Sequence, residues 1–290
     1  MNKQIQWYPG HMFKSLKEIK ANLKIVDILM ILTDSRAPIS GMNPEILKLA
    51  KNIPTLILLN KMDLSDLNVT NTIEKSLNNE GFYTLKIDAK TGKNTDQIIK
   101  LCNEILKDKL EKAKSRGLKS RALRAMIVGI PNVGKSTLIN QLSKKKATKT
   151  ADTPGVTKHI SWIRLAKDFE LLDTPGVLWP KFSDEVGYHL AITGAIKDDI
   201  LPLDDIVHYA LLFLQKHYLK RVEERYEINN TMSYLEMLKQ IGEKRGAYLK
   251  NKEIDYERVY QIVLTDIRNN YLGGLTFDRL ENVWNRRKFI

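Results

Sequence analysis

Ala125-Met126-Ile127-Val128-Gly129-Ile130-Pro131-Asn132-Val133-Gly134-Lys135-Ser136-Thr137-Leu138 reads as a buried strand, a loop of the form G-x-x-x-x-G-K-S and the opening of a helix. Glycine at 129 and 134 lets the backbone wrap closely round a polyphosphate, with successive N–H groups aimed at its oxygens. The candidate contacts run along Asn132, Val133, Gly134, Lys135, Ser136 and Thr137. Lys135 reaches the β- and γ-phosphates, the Ser136 hydroxyl holds Mg²⁺, and the helix that follows turns its positive end toward the same charge. Glycine-rich turns match this pattern by chance. Here the apolar run before the loop and Leu138-Ile139-Asn140-Gln141-Leu142 after it supply the strand–loop–helix context the chemistry requires.

Working outward, a chain of 290 residues predicts two domains, and 43% hydrophobic with 28% charged residues is the composition of a folded globular protein. The apolar run 25–32 is broken by Asp27 and is too short to cross a bilayer; the first seven residues carry no apolar core. Neither a membrane span nor a secretory leader is expected, and a cytoplasmic location is. One cysteine, Cys102, excludes an internal disulfide and a multi-cysteine zinc site, and its spacing from Ile98 and Ile105 predicts a buried, inert thiol. The net charge of +13 is uneven: residues 1–179 hold 30 Lys and Arg against 17 Asp and Glu, whereas residues 180–290 hold 17 of each. A basic half of this kind suits a polyanion, nucleic acid before acidic protein.

Along the chain, 7–12 is a turn-like lead-in, and 13–23 has helical spacing with Phe13, Leu16, Ile19 (or Lys20) and Leu23 on one face. Strands at 26–33, 55–59 and 83–87 alternate with helices at 43–51, about 68–79 and from about 95 through Leu110. Nearly all-apolar strands between helices predict a mostly parallel sheet with helices on both faces. The stretch 107–124 carries eight basic residues and reads as a helix tail and linker suited to phosphate contacts, followed after the glycine loop by a second basic cluster at Lys144, Lys145, Lys146 and Lys149. Two further strands are expected at 159–165 and 169–172. Beyond Leu178 only helical periodicity remains, at 204–218, 233–245, 256–271 and 276–286. The expected division is therefore a nucleotide-binding domain at 1–178 and a smaller all-helical domain at 179–290.

Two more loops follow strands. Asn60-Lys61-Met62-Asp63 has the form N-K-x-D. A carboxylate at Asp63 accepts from both N1–H and the 2-amino group of guanine; adenine offers neither and would leave the carboxylate unpaired. The Lys61 stem lies along the base, and Ala89 in Asp88-Ala89-Lys90 gives its N–H to the base oxygen. Asp173-Thr174-Pro175-Gly176 supplies a carboxylate for Mg²⁺ at Asp173 and a γ-phosphate contact at the Gly176 N–H. Thr157, after the turn Pro154-Gly155, is favoured over Thr153 as the mobile threonine that completes Mg²⁺ coordination.

The order of these parts is unusual. A regular small GTPase runs phosphate loop, switch threonine, D-x-x-G, N-K-x-D, then S-A-K; this chain begins with N-K-M-D and D-A-K and reaches the phosphate loop only at 129. The linker near 107–124 would join the old termini. With W-Y-P-G-H-M at 7–12, D-S-R-A-P at 34–38, N-K-M-D, G-I-P-N-V-G-K-S and D-T-P-G-V, the sequence resembles the circularly permuted GTPases of bacterial ribosome assembly over essentially its whole length. That resemblance implies a circularly permuted P-loop GTPase domain with a helical C-terminal domain. It further implies hydrolysis of GTP to GDP coupled to rRNA binding in late assembly of the large (50S) ribosomal subunit. Asp88 departs from the family's usual serine. Zinc-binding cysteines and an added β-barrel, present in other permuted members, are not expected here.

Val177 stands where many GTPases place the glutamine that orients water, and an apolar side chain cannot do so. Asn132 resembles the asparagine that helps hold K⁺ in potassium-stimulated relatives; the plainer alternative is a helix cap or a brace for the loop. His11, next to the Pro9-Gly10 turn and ahead of the first helix, is the candidate catalytic group, with His159 as its rival. The leading expectation is a monomeric GTP-driven switch that grips the pre-ribosomal particle and is released by hydrolysis. The alternative is a guanine-nucleotide-dependent RNA-binding module without stimulated turnover. A membrane-bound signalling GTPase lacks any lipidation signal.

Overall fold

Ile28-Leu29-Met30-Ile31-Leu32 and Leu56-Ile57-Leu58-Leu59 have no polar side chain to present to water, and all nine residues are buried. Each aliphatic side chain so removed from water contributes about 1.5–3 kcal/mol. Such strands are stable only when covered on both faces, which is the condition of a parallel sheet. The computed structural model describes residues 10–116, 121–144 and 160–280, with the side chains of His11, Ala113 and Lys144 left aside.

The elements in chain order are α1 (Gly10–Asn22), β1 (Ile28–Asp34), α2 (Pro44–Leu49), β2 (Thr55–Asn60), α3 (Leu67–Asn79), β3 (Tyr83–Lys86), α4 (Gln97–Ile105), α5 (Lys107–Ser115), β4 (Leu123–Gly129), α6 (Lys135–Lys144), β5 (Ser161–Ala166) and β6 (Phe169–Asp173). Five helices follow: α7 (Asp184–Ile192), α8 (Leu203–His217), α9 (Leu219–Tyr226), α10 (Tyr234–Arg245) and α11 (Tyr256–Arg268). The sheet order is β3-β2-β1-β4-β6-β5, parallel throughout except for the antiparallel edge strand β5. This is the mixed α/β architecture expected from the alternation of strands and helices.

Local signals explain the helix starts. Asn43 accepts from Glu45 N–H with Pro44 at the first helical position, and Ser233 forms a reciprocal capping box with Glu236. Cys102 is buried against Met30, and burial pushes its thiol up to about 12, so it is inert.

Several expectations need correction. The expected face holds at Leu16 and Ile19 of α1 and at Leu23 just beyond it, but in the first part of the helix Met12 and Ser15 are buried while Phe13 is 65% exposed. Among the described residues the helix already includes Gly10 and His11, so His11 lies within it rather than ahead of it. The helix expected from 95 through Leu110 is two: Leu106 leaves helical geometry (φ −99°, ψ 6°) and is buried between α4 and α5. The basic stretch is not simply free for phosphate. Lys109 and Arg121 pair with the buried Asp27, and Arg124 pairs with Glu170 and stacks over Trp162. In the helical part, Lys244 pairs with Glu227 and Arg245 with Asp266.

Residues 274–278 are irregular rather than helical and pack on the sheet domain. Leu275 N–H donates to Leu64 O (3.0 Å), Phe277 N–H to Arg36 O (2.7 Å), and the Asp278 carboxylate accepts from Ile39 N–H, Ser40 N–H and Ser40 Oγ. His189 of α7 sits in the same seam, its Nδ1 3.0 Å from Asp278 and its Nε2 2.8 Å from Tyr209 Oη. Helices α7 and α9 lie outside the expected helical stretches; Ser183 ahead of Asp184-Glu185 is the sequence signal for α7, and its Oγ accepts from Val186 N–H.

Candidate nucleotide site

The five parallel strands point their C-terminal ends at one rim, where open α/β sheets bind ligands. In spatial order the rim carries Asp88 beyond β3, Asn60 on β2, Asp34 on β1, Gly129 on β4 and Asp173 on β6. The sheet thus brings together the loops that the chain separates.

Asn60 ties three of them. Its Nδ2 donates to Val133 O (2.8 Å) and its Oδ1 accepts from Ala89 N–H (2.9 Å), both buried. Gly134 is required beside it: φ is +99°, and a Cβ there would lie 2.5 Å from Asn60 Nδ2. The Ala89 N–H, expected to serve the base oxygen, here donates to Asn60 Oδ1. Asp88, in the serine position, closes its own loop: Oδ1 accepts from Lys90 N–H (2.9 Å), Oδ2 from Thr91 Oγ1, and Asp88 N–H donates to Lys93 O.

Lys61 takes the left-handed conformation (φ 57°) and sends its ammonium across the rim to Asn132 O (3.1 Å) and Asp34 Oδ2 (3.0 Å). Asp63, two residues on, is exposed in a 3₁₀ turn, and its carbonyl accepts from Asn270 Nδ2 (3.5 Å).

On the phosphate side, Lys135 and Ser136 open α6, and Asp173 is buried at the end of β6. Burial lowers the Lys135 pKa, and the nearby negative charge of Asp173 opposes that shift. Thr174 Oγ1 donates to Ile127 O (2.7 Å), Val177 N–H donates to Gly129 O (3.1 Å), and a Cβ on Gly176 would lie 3.0 Å from Pro131. The D-T-P-G segment is therefore stitched to the strand and loop beside it. Val177 is buried in the core, away from any water it might have oriented. Asn132 is left-handed too (φ 57°), and its Nδ2 donates to Gly194 O (2.9 Å) in the turn after α7, which braces the loop from outside it.

Hard oxygen donors at Ser136 and Asp173 fit Mg²⁺. Among the described residues no group of three His, Cys, Asp or Glu side chains could hold a metal. Thr153, Thr157, His159, Lys145, Lys146, Lys149 and the side chains of His11 and Lys144 lie outside the described residues. No helix among the described residues is long and apolar enough to cross a membrane. Sequence reasoning gave no role to Asp34 and Arg36, although opposite charges two residues apart at a rim strand end were a usable signal.

Residues 14–182 match the family model described as RsgA GTPase, and residues 124–245 match that described as 50S ribosome-binding GTPase. Ribosome biogenesis GTPase A of Bacillus licheniformis is 46% identical over 281 residues, covering 96% of this chain and 99% of the relative. The same protein of Priestia megaterium is 47% identical over 277 residues, covering 94% and 96%. The GDP-bound structure of YlqF from T. maritima superposes with a TM-score of 0.65 at 25% identity, covering 91% of this chain and 99% of that one.

Proposed function

The chain belongs to the ribosome biogenesis GTPase A family and hydrolyses GTP, a premise from which we propose that it is a switch acting on the large ribosomal subunit during late assembly. The observation that carries the proposal is the junction between rim and helices. The phosphate loop is hydrogen-bonded to the turn after α7 through Asn132 and Gly194, and the guanine loop to residues 270–275 through Asp63 and Leu64. A change of nucleotide at the rim therefore has direct hydrogen-bonded routes into residues 179–290. Residues 1–178 act as the nucleotide-binding unit and 179–290 as the helical unit that reads it.

In this reading Asp63 selects guanine, with Asn60, Lys61, Asp88, Ala89 and Lys90 shaping the base pocket. Asn132 through Thr137 and Gly176 hold the phosphates, and Lys135 neutralises them. Ser136, Asp173 and Thr157 would hold Mg²⁺, on which GTPases of this kind depend; once bound it would stabilise the negative charge of the polyphosphate. Asn132 Oδ1 adds a candidate K⁺ ligand. With Val177 buried, water is oriented by His11 or by the partner. The +13 excess of residues 1–179 supplies the grip on rRNA. The protein works as a cytoplasmic monomer, free of membrane.

The test is GTP turnover with and without purified large-subunit particles. Stimulation of at least tenfold is expected, lost in His11→Ala at unchanged GTP affinity. Unstimulated turnover with intact, nucleotide-dependent particle binding would favour the RNA-binding module instead.

A further inference from the structure

Strand β1 lies between β2, which carries the guanine loop, and β4, which carries the phosphate loop. Its last residue, Asp34, pairs in register with Asn60 and is 3% exposed. Four donors converge on that carboxylate. Oδ1 accepts from the Arg36 backbone N–H (3.0 Å) and Arg36 Nε (2.9 Å); Oδ2 accepts from Arg36 Nη2 (2.8 Å) and lies 3.0 Å from Lys61 Nζ. The same Lys61 ammonium donates to Asn132 O at 3.1 Å. Lys61 and Asn132, the two residues this ammonium joins, both hold left-handed backbone conformations that side-chain-bearing residues adopt at a cost.

Arg36 is as deeply placed as its partner, at 2% exposed. Its Nη2 also donates to Thr193 O (3.2 Å), one residue before the Gly194 carbonyl that receives Asn132, and its own carbonyl accepts from Phe277 N–H. Its Nη1 is buried without a hydrogen-bond partner among the described residues. A buried donor left unmade is costly, and an arginine kept at that cost implies that its other contacts matter. The paired charges hold the Asp34 carboxyl well below the usual carboxylate range against the opposing effect of burial, so it is ionised wherever the protein is folded near neutrality.

We propose that Asp34 is a positioning residue of the nucleotide site, fixing the Lys61 ammonium against Asn132 O so that the guanine and phosphate loops keep one spacing. Arg36 extends the same brace to the helical part through Thr193. The inference rests on residues 60–63 being the guanine loop. Physically, an ammonium on a four-carbon stem has many rotamers, and a buried carboxylate whose own orientation is fixed by a bidentate arginine removes most of them. The entropy of arranging the two loops is then spent in folding rather than at binding. Because the brace touches neither the γ-phosphate nor attacking water, it acts equally on GTP, GDP and the transition state: Asp34 sets KM and leaves kcat alone.

The experiment is a double-mutant cycle on GDP affinity, with GTP kinetics and thermal stability measured alongside. Asp34→Asn should weaken GDP about tenfold and raise KM by the same factor with kcat unchanged; in a Lys61→Met background the same change should weaken GDP less than twofold. An equal loss in both backgrounds would mean that Asp34 is merely structural and would overturn the proposal. Asp34→Asn leaves the buried Arg36 and the partly exposed Lys61 without their shared counter-charge and can fail to fold. The joint replacement Asp34→Leu with Arg36→Met removes both charges together, a change that interiors tolerate, and should give the same Lys61-dependent loss. Full GDP affinity in that folded variant would equally overturn the proposal. Asp63→Asn separates the two readings: retained guanine preference there would sink the guanine-loop assignment, whereas a switched preference with no Lys61-dependent effect of Asp34 would sink only the brace.

Discussion

The two halves of the nucleotide rim are built on different principles. On the base side, neutral hydrogen bonds and a closed set of charges lock the loops to one another: Asn60 to Val133 and Ala89, Asp88 to its own loop, and Lys61 to Asp34 and Asn132. On the phosphate side, the loop backbone is stitched to the sheet through Thr174 and Val177, but the charge that matters, on Lys135, is opposed by its own burial. One half is completed by the protein, and the other holds charge that a polyanionic substrate compensates. Selectivity should therefore be lost by disturbing the base side, and affinity and its pH dependence by disturbing the phosphate side.

The largest expected effect tests the phosphate half. Lys135→Ala should weaken GTP and GDP on the order of 100-fold while leaving the melting temperature unchanged or raised, because it removes a desolvated cation. Equilibrium titration and thermal unfolding of the same variant check both parts. The sign with pH follows from linkage. The folded Lys135 pKa lies below the unfolded one, so the unfolded chain holds the proton more tightly. The resulting penalty on stability is full below the folded pKa and is relieved as pH rises toward the unfolded value. Bound polyphosphate favours the charged form, so GDP affinity should fall as pH rises through the free protein's Lys135 pKa; a flat profile from neutral into the alkaline range would break the comparison.

Next in size, Asp63→Asn exchanges an acceptor for a donor at the base and should turn a preference for guanine into one for xanthine, a shift of about 30-fold or more in a competition assay. Affinity for triphosphate chains as such should barely change, which is what distinguishes the two halves. Smallest is Asn132→Ala. It removes an exposed hydrogen bond to Gly194, worth about 0.5–1.5 kcal/mol, and GDP affinity should change by less than threefold. Its value lies in K⁺: hydrolysis in K⁺ and in Na⁺ should differ for the wild type and agree for the variant.

The phosphate loop, N-K-M-D, D-A-K and D-T-P-G were legible because each needs particular residue types at fixed spacing, and the all-apolar runs before them could only be covered parallel strands. That the chain hydrolyses GTP was readable at the same level. Helix phase was less so: Phe13 looks like a core residue by hydrophobicity, yet Met12 takes the buried place, because rotation about a helix axis is settled by what it packs on. What tertiary structure alone decided is which polar groups meet. Asp34 and Arg36 stand far along the chain from Asn132, Thr193 and Phe277, and only the placement of β1 between β2 and β4 brings these groups to one point. Ala89 N–H finds Asn60 for the same reason, and residues 274–278 stay out of a helix as the Leu275 and Phe277 N–H groups donate to the Leu64 and Arg36 carbonyls. Spacing along a chain encodes local geometry, whereas a hydrogen bond between distant residues depends on the register of the sheet that carries them.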